Sequence, residues 1–407
     1  MLITHLIPSQ NSINNAKGVQ LKHHQAVEIV ETDKRFQEII SLTLAESQVA
    51  IDLESNGFYH YPERICLFQI STLDHIFLVD PLSIKDFTQL GKLLEEGSVQ
   101  KIFHSADYDV RSMGREWGFH VNNMFDTSIA ASFLGSDKRG LAAVLSEYMK
   151  IVINKDKKLQ RADWSQRPLK NDLLNYAADD VRYLHSLKNI LYEKLNSLGR
   201  ITWVLEECER LTNVKYELPN PEYKFLSVKG SGILKGQQLS VLKSVYEFRE
   251  NEAILNDRPP FKIFTDSVIV ALSSSKLSEI PKLKGLGKYS YGSSLTRLKK
   301  AIHTGLETTP IKRPAKTHSQ KQNLNQKELN SVKDNLKSLK EWRDNWSKIL
   351  SVESGLLWPM VSLQRLAKNP NSLTIECKGD DVRKWQQNQF EKSMTNLLVK
   401  LANVEST

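Results

Sequence analysis

Over its first 200 residues the chain alternates short apolar runs with longer stretches whose hydrophobic positions recur at helical spacing. Residues 48–53, 64–70 and 75–79 are brief, rich in apolar and β-branched side chains and bounded by turn formers, which predicts three strands. A helix is expected over 86–95, a strand over 101–104 and another helix over 106–117. Further helices follow at 126–134, 141–150 and 171–195, the last long and apolar at helical spacing. Residues 151–169 open on a brief apolar stretch and are otherwise polar and mostly irregular. Three strands joined by short turns, then strand–helix alternation, imply a mixed sheet flanked by helices.

Beyond this region the strand pattern stops. Residues 215–224, with Pro219 and Pro221, read as a linker, and helices are predicted at 236–256, 265–273 and 293–305. A second break at 307–326 carries Lys312, Arg313, Lys316 and Lys321 among Thr, Pro, Gln and Asn, the composition of an exposed basic tether. From about Lys327 the pattern is helical again.

At 407 residues the chain has room for two or three cores. No apolar run approaches the length needed to cross a bilayer, and the N-terminus lacks the basic-then-apolar order of a secretory signal. Cys66, Cys208 and Cys377 are too few and too scattered for a disulfide framework or a zinc cluster, so a reducing, cytoplasmic setting is expected. The net charge of +9 is unevenly placed. Residues 1–215 hold 25 basic and 28 acidic side chains, while 216–407 hold 31 and 19. A slightly acidic front and a strongly basic rear suggest a polyanion-binding module joined to something else.

Candidate chemistry lies in the acidic front. The strand A-I-D-L-E (50–54) puts Asp52 and Glu54 on one face with Leu53 opposite. Two carboxylates on one face of an apolar strand repel and lose solvation, which a cation between them relieves. In K-I-F-H-S-A-D-Y-D-V (101–110) a strand runs into a helix. Asp107 reads there as a first-turn residue, Asp109 as a ligand and His104 as a packed structural histidine. In N-Y-A-A-D-D-V-R-Y-L (175–184), Tyr176 and Asp180 share a helical face, and Asp179 and Arg182 read as solvated. Four oxygen ligands without His or Cys suit hard cations, Mg²⁺ or Mn²⁺, and a pair of such ions is a clamp for in-line phosphodiester hydrolysis. Tyr176 would aim the attacking water, because an ordinary phenol is a poor base at neutral pH.

The set Asp52/Glu54, Asp109 and Tyr176/Asp180 resembles the DEDDy exonucleases of the ribonuclease H-like superfamily. The segments Y-P-E-R-I-C-L-F-Q-I-S (61–71), F-D-T-S-I-A-A (125–131), R-A-D-W-S-Q-R-P-L (161–169) and Y-A-A-D-D-V-R-Y-L (176–184) are similar to the ribonuclease D family. Members often carry an aromatic directly after D-x-E, whereas here Ser55-Asn56-Gly57-Phe58 follows. Residues 234–253 with D-R-P-P (257–260) resemble the helicase-and-RNase-D C-terminal (HRDC) domain, and L-K-E-W-R-D-N-W (339–346) with Leu363, Leu366 and Ala367 looks like a second, divergent copy.

The resemblance implies an α/β ribonuclease H-like exonuclease domain followed by all-α HRDC-like bundles. Its divisions are an extension (1–24), the exonuclease domain (25–215), an HRDC domain (225–306), a basic linker (307–326) and a second HRDC-like domain (327–407). It implies a 3′→5′ exoribonuclease using two divalent ions on Asp52, Glu54, Asp109 and Asp180, acting on free RNA 3′ ends, transfer RNA precursors included; the sequence leaves the oligomeric state open, with a monomer favoured. Lys284, Lys288, Lys299 and Lys300 are the RNA-contact candidates in the basic rear. Two alternatives stand beside this reading: a DNA 3′→5′ exonuclease of proofreading or repair type, and an inactive RNA-binding adaptor. The full set of five motif residues speaks against the adaptor.

Overall fold

The structure, a computed structural model, describes residues 25–213, 220, 222–314 and 325–405. The expected 1–24 extension lies outside the described residues.

The front half is built on a six-stranded sheet: β1 (Ala26–Val30), β2 (Gln48–Ser55), β3 (Ile65–Ser71), β4 (His75–Val79), β5 (Gln100–Phe103) and β6 (Met124–Asp126). Their order is β1-β4-β3-β2-β5-β6. The β2–β3 and β3–β4 pairs are antiparallel; β1–β4, β2–β5 and β5–β6 are parallel. This is the mixed sheet that the strand spacing predicts. Every residue of β3 is buried, as a strand covered on both faces must be.

Helices α1 (Asp33–Leu44), α2 (Thr88–Glu95), α3 (Asp107–Trp117), α4 (Thr127–Phe133) and α5 (Leu141–Met149) lead to one short turn, α6 (Lys157–Gln160), in the otherwise irregular stretch. The single helix expected at 171–195 is two helices, α7 (Asn171–Arg182) and α8 (Leu184–Ser197), meeting at Tyr183. There ψ opens to −2°. The break lets α7 lie over β2, β3 and β4 while α8 packs on β2, β5, α4 and α5. Helix α9 (Ile201–Thr212) closes the domain against β6 and α4.

A helical module follows, with its own core around Leu242, Val245, Phe264 and Leu298. It comprises α10 (Gln237–Leu255), α11 (Pro260–Ile263), α12 (Asp266–Leu272) and α13 (Gly292–Glu307). The α10–α13 crossing is tight: a Cβ on Gly305 would lie 2.6 Å from the Val241 Cα. The start of the expected basic tether is docked on this module. Ile311 bridges Gly236, its N–H donates to the Ser240 hydroxyl at 3.1 Å, and Arg313 donates to the Ser231 carbonyl. Residues 315–324 lie outside the description.

The last block is α14 (Gln326–Leu350), opened by an Asn325/Glu328 capping box, then α15 (Ser354–Leu357), α16 (Met360–Lys368), α17 (Leu373–Lys378) and α18 (Lys384–Glu405). It has no separate core. Leu339, Trp358, Trp385 and Phe390 belong to one continuous apolar cluster with the sheet domain.

Candidate active site

Register opens the site. β2 pairs with β5 only over Gln48–Ala50, so Asp52 and Glu54 run past the carboxyl end of that parallel neighbour. On the other side they oppose Gln69 and Leu67 of β3, before a register shift at Glu54/Ser55. A crevice beyond the carboxyl ends of parallel strands is where open α/β sheets place their ligands.

Asp126 builds the opposite wall. Its buried carboxylate accepts from the N–H groups of Ser105 (3.0 Å) and Ala106 (2.7 Å) and caps α4 through Ser128 and Ile129. This holds the β5–α3 turn, where Ser105 takes a φ of 67°. With the turn fixed, Asp107 faces outward onto Arg111 at 3.0 Å while Asp109, 5% exposed, lines the cleft.

Helix α7 supplies the third wall. Ala177 and Ala178 are fully buried, which lets the helix sit close and deliver Tyr176 and Asp180 to the crevice. Tyr176 is backed by the buried Trp164, with ring centroids 6.1 Å apart. Trp164 belongs to the irregular segment, which Arg167 anchors by a bidentate pair to Asp80 (2.6 and 2.7 Å) and a bond to the Cys66 carbonyl. Arg182, expected in solvent, folds back on Asp179 at 2.9 Å.

The result is a cleft of about 820 Å³ lined by Asp52, Glu54, Asp109, Tyr176 and Asp180. Asp52, Glu54 and Asp180 each offer an oxygen within 4.8 Å of the others; Asp109 stands outside that trio on the facing wall. His104 also lines the cleft. Its Nδ1 lies 2.9 Å from the Thr127 hydroxyl, which itself donates to the Phe103 carbonyl, so Nδ1–H is the donor and the ring is pinned. None of Lys284, Lys288, Lys299 and Lys300 reaches this cleft, and Lys288 is engaged by Asn256 at 2.8 Å.

Lys155 is the residue that motif reading missed. Its ammonium pairs with Asp180, lies 3.4 Å from the Tyr176 hydroxyl and 4.4 Å from the Tyr176 ring centre. No motif marks it; the only hint is the basic run that it opens, K-D-K-K-L-Q-R (155–161). One lysine leaves the four carboxylates far from neutralised. Burial, opposed by Lys155, pushes Asp52 up to about 6. Burial and then the Asp52 charge raise Glu54 and Asp109 well above the carboxylate range. Burial and then the Glu54 and Asp52 charges raise Tyr176, so its phenol stays protonated. Crowded hard oxygen donors that resist ionising fit a divalent cation.

These shifts set a pH dependence. A carboxyl whose folded pKa lies above its unfolded value favours the fold when protonated, so stability falls as pH rises from near 4 through about 6. In chelator the melting midpoint is therefore expected to be lower at pH 8 than at pH 5 by roughly 5 °C, and Mg²⁺ or Mn²⁺ should offset that fall. Thermal scans at both pH values, with and without metal, check this. A midpoint indifferent to metal at pH 8 would remove the cation site.

Residues 27–196 match the 3′-5′ exonuclease family. Over 249 residues, 60% of this chain and 66% of the relative, the sequence is 31% identical to Ribonuclease D of Desulfotalea psychrophila. It is 32% identical to Ribonuclease D of Haemophilus influenzae over 258 residues, 63% of this chain and 64% of that protein. The chain thus spans slightly under two thirds of the length of these curated relatives. The crystal structure of Escherichia coli RNase D shares the fold, with a TM-score of 0.67 over 91% of this chain and 98% of that one at 22% identity. Over its front half the chain is thus similar in sequence to the 3′-5′ exonuclease family and to ribonuclease D, and over most of its length it shares the fold of a solved RNase D.

Proposed function

We propose that this chain is a metal-dependent 3′→5′ exoribonuclease that trims RNA 3′ ends, transfer RNA precursors among them, and releases nucleoside 5′-monophosphates. The observation that carries the reading is the convergence of Asp52, Glu54 and Asp180 within 4.8 Å at one end of a cleft that Asp109 also lines. These four would hold two ions, Mg²⁺ or Mn²⁺. Such a pair, when bound, supplies a hydroxide nucleophile and stabilises the leaving 3′-oxygen.

The remaining work falls to this chain's own groups. Tyr176, kept protonated by burial, holds water by its hydroxyl and takes no proton from it. Trp164 behind the ring and Lys155 over it fix the direction of that hydroxyl. Asp126 keeps Asp109 in place by tying down the turn before α3. The rear half, net +12 against −3 in front, favours the polyanion by releasing its counterions. We assign the modules at 225–306 and 327–407 to the HRDC type, and a monomer in a reducing, cytoplasmic setting suits the free cysteines.

The test compares RNA ending in a 3′-hydroxyl with the same RNA blocked at its 3′ end, beside matched DNA, in metal and in chelator. Stepwise release of 5′-mononucleotides from the open RNA, only with metal, is expected. Equal rates on DNA would move the substrate to the deoxy series. Internal cleavage of blocked RNA would overturn the exonuclease reading.

A further inference from the structure

The mouth of the acidic cleft is built by two parts of the chain. Phe58 comes from the loop after β2, and Phe261 comes from α11 of the helical module; both line the same cavity as the carboxylates. They are 48% and 51% exposed. Ile263, at the end of α11, and Phe264, just after it, are buried in the module's own core, while Phe261 and Lys262 are exposed on the other side. A phenylalanine held in solvent forgoes the burial that its neighbours gain.

Cations accompany these rings. The Arg161 guanidinium lies 5.9 Å from the Phe58 ring centre, and the Lys262 ammonium lies 4.6 Å from that of Tyr59, itself 39% exposed. The Tyr59 hydroxyl donates to the Arg161 carbonyl at 3.0 Å, joining the two pairs. Exposed aromatic faces beside positive charge are what a single nucleic-acid strand stacks and threads on.

The module is held in register with the cleft. Asp257, just ahead of Pro259-Pro260, accepts from His60 Nδ1 at 2.7 Å and from the Tyr61 N–H at 3.2 Å. His60 Nε2 reaches Asp163 at 3.3 Å, and the Tyr61 hydroxyl donates to Glu250 of α10 at 2.5 Å. Three segments, 58–61, 161–163 and 257–262, therefore meet at one rim.

We infer that Phe261 is a substrate-contact residue: together with Phe58 it stacks the 3′-terminal bases of single-stranded RNA as they enter the cleft. The helical module then completes the binding site as well as adding charge. The inference rests on the exoribonuclease reading, because the occupant is chosen by the carboxylates at the cleft's end. It also supplies a base-holding aromatic to a chain whose D-x-E is followed by serine. Ser55 is engaged elsewhere, with Glu63 at 2.7 Å and Tyr108 at 2.6 Å.

The probe is a short RNA carrying 2-aminopurine as its 3′-terminal base, whose fluorescence is quenched by stacking. Binding is read on the full chain in an Asp52→Asn background with Mg²⁺, so the strand is not consumed. The quench is expected with Phe261 present, to be mostly lost in Phe261→Ala and Phe261→Leu, and to be kept in Phe261→Trp. In the otherwise unaltered enzyme, Phe261→Ala should raise KM for unstructured RNA roughly tenfold with kcat nearly unchanged. The leucine variant keeps apolar bulk without a ring, so its loss of quench separates stacking from folding, and melting midpoints verify that each variant folds. No quench with Phe261 present, or full quench and an unaltered KM in folded Phe261→Ala, overturns the inference. In the second case hydrolysis from the 3′ end continues, which leaves the exoribonuclease reading intact; absence of hydrolysis in any form would instead strike that reading.

Discussion

Asp52→Asn is expected to lower metal-dependent turnover about 10³-fold or more while leaving the protein folded and able to bind RNA. Asp52 sits in mid-strand on β2, one of three carboxylates whose oxygens lie within 4.8 Å of each other. Asparagine keeps the shape and removes the charge, so the proposed dication site would lose a ligand while packing is unchanged. The direction of the stability change makes the prediction specific. Burial already pushes the Asp52 carboxyl up to about 6, so an uncharged amide removes a desolvation cost and an unfavourable charge on Glu54 and Asp109. In chelator at pH 8 the variant should melt no lower than the parent, although it has lost its activity. Single-turnover hydrolysis, RNA anisotropy and thermal scans give the three readouts. Turnover near the parental rate would dismantle the ligand assignment, and a collapsed melting midpoint would show that Asp52 is structural instead.

Much of this site is legible in the sequence because its pieces are short-range patterns. Alternation along β2 is enough to put Asp52 and Glu54 on one face, and a four-residue step along α7 is enough for Tyr176 and Asp180. The rest depended on contacts between distant segments. Lys155 has no spacing rule, since it reaches Asp180 from an irregular stretch. Asp126 looks like an ordinary helix cap until its second oxygen is found on the Ala106 N–H, 20 residues back. Phe261 carries no mark in the sequence, and only the turn of α11 shows that it faces outward. Strands β1 and β6 and helices α1 and α9 went unmarked too. β6 has three residues, too few for a period of two to show, and β1 is an edge strand with a weaker apolar pattern. The one long helix expected over 171–195 failed at Tyr183 because continuous apolar periodicity does not reveal a one-residue step.

In the proposed reading, rim and cleft divide the labour of recognition in physical terms. Carboxylates at the base repel a polyanion until cations arrive, so affinity has to come from elsewhere. Stacking at Phe58 and Phe261 is indifferent to charge, and the basic rear is sensitive to salt. Unstructured ends fit a mouth lined by exposed rings, since bases inside a duplex already have both faces stacked.

Deleting residues 325–407 is expected to unfold or aggregate the remaining chain, although the block looks in sequence like a separable grip. Trp385 stacks on Trp203 with centroids 4.6 Å apart and meets Phe133 edge-on at 5.3 Å. Phe133 and Trp203 are buried residues of the sheet domain, 1% and 8% exposed. Glu206 of α9 accepts from the N–H groups of Lys384 (2.7 Å) and Trp385 (2.9 Å), capping α18, and Glu207 pairs with Arg383 at 3.0 Å. Arg200 donates to the carbonyls of both Phe133 and Leu350 at 2.9 Å. Gly135, at φ +89°, lies so close that an added Cβ would come within 2.2 Å of the Ser351 carbonyl oxygen. Trp385→Ala alone should cost about 3–5 kcal/mol, against a typical reserve of about 5–15 kcal/mol. The point variant is therefore expected to melt roughly 10 °C lower, and the truncated chain, with those aromatics uncovered, to lose its cooperative transition. Thermal scans and sedimentation distinguish these outcomes. A chain ending at residue 324 that stays monodisperse and melts as the full protein does would show that the shared core is dispensable. Short of that, weaker RNA binding after such a truncation reports a damaged nuclease domain, and charge reversals on the intact surface become the proper measure of grip.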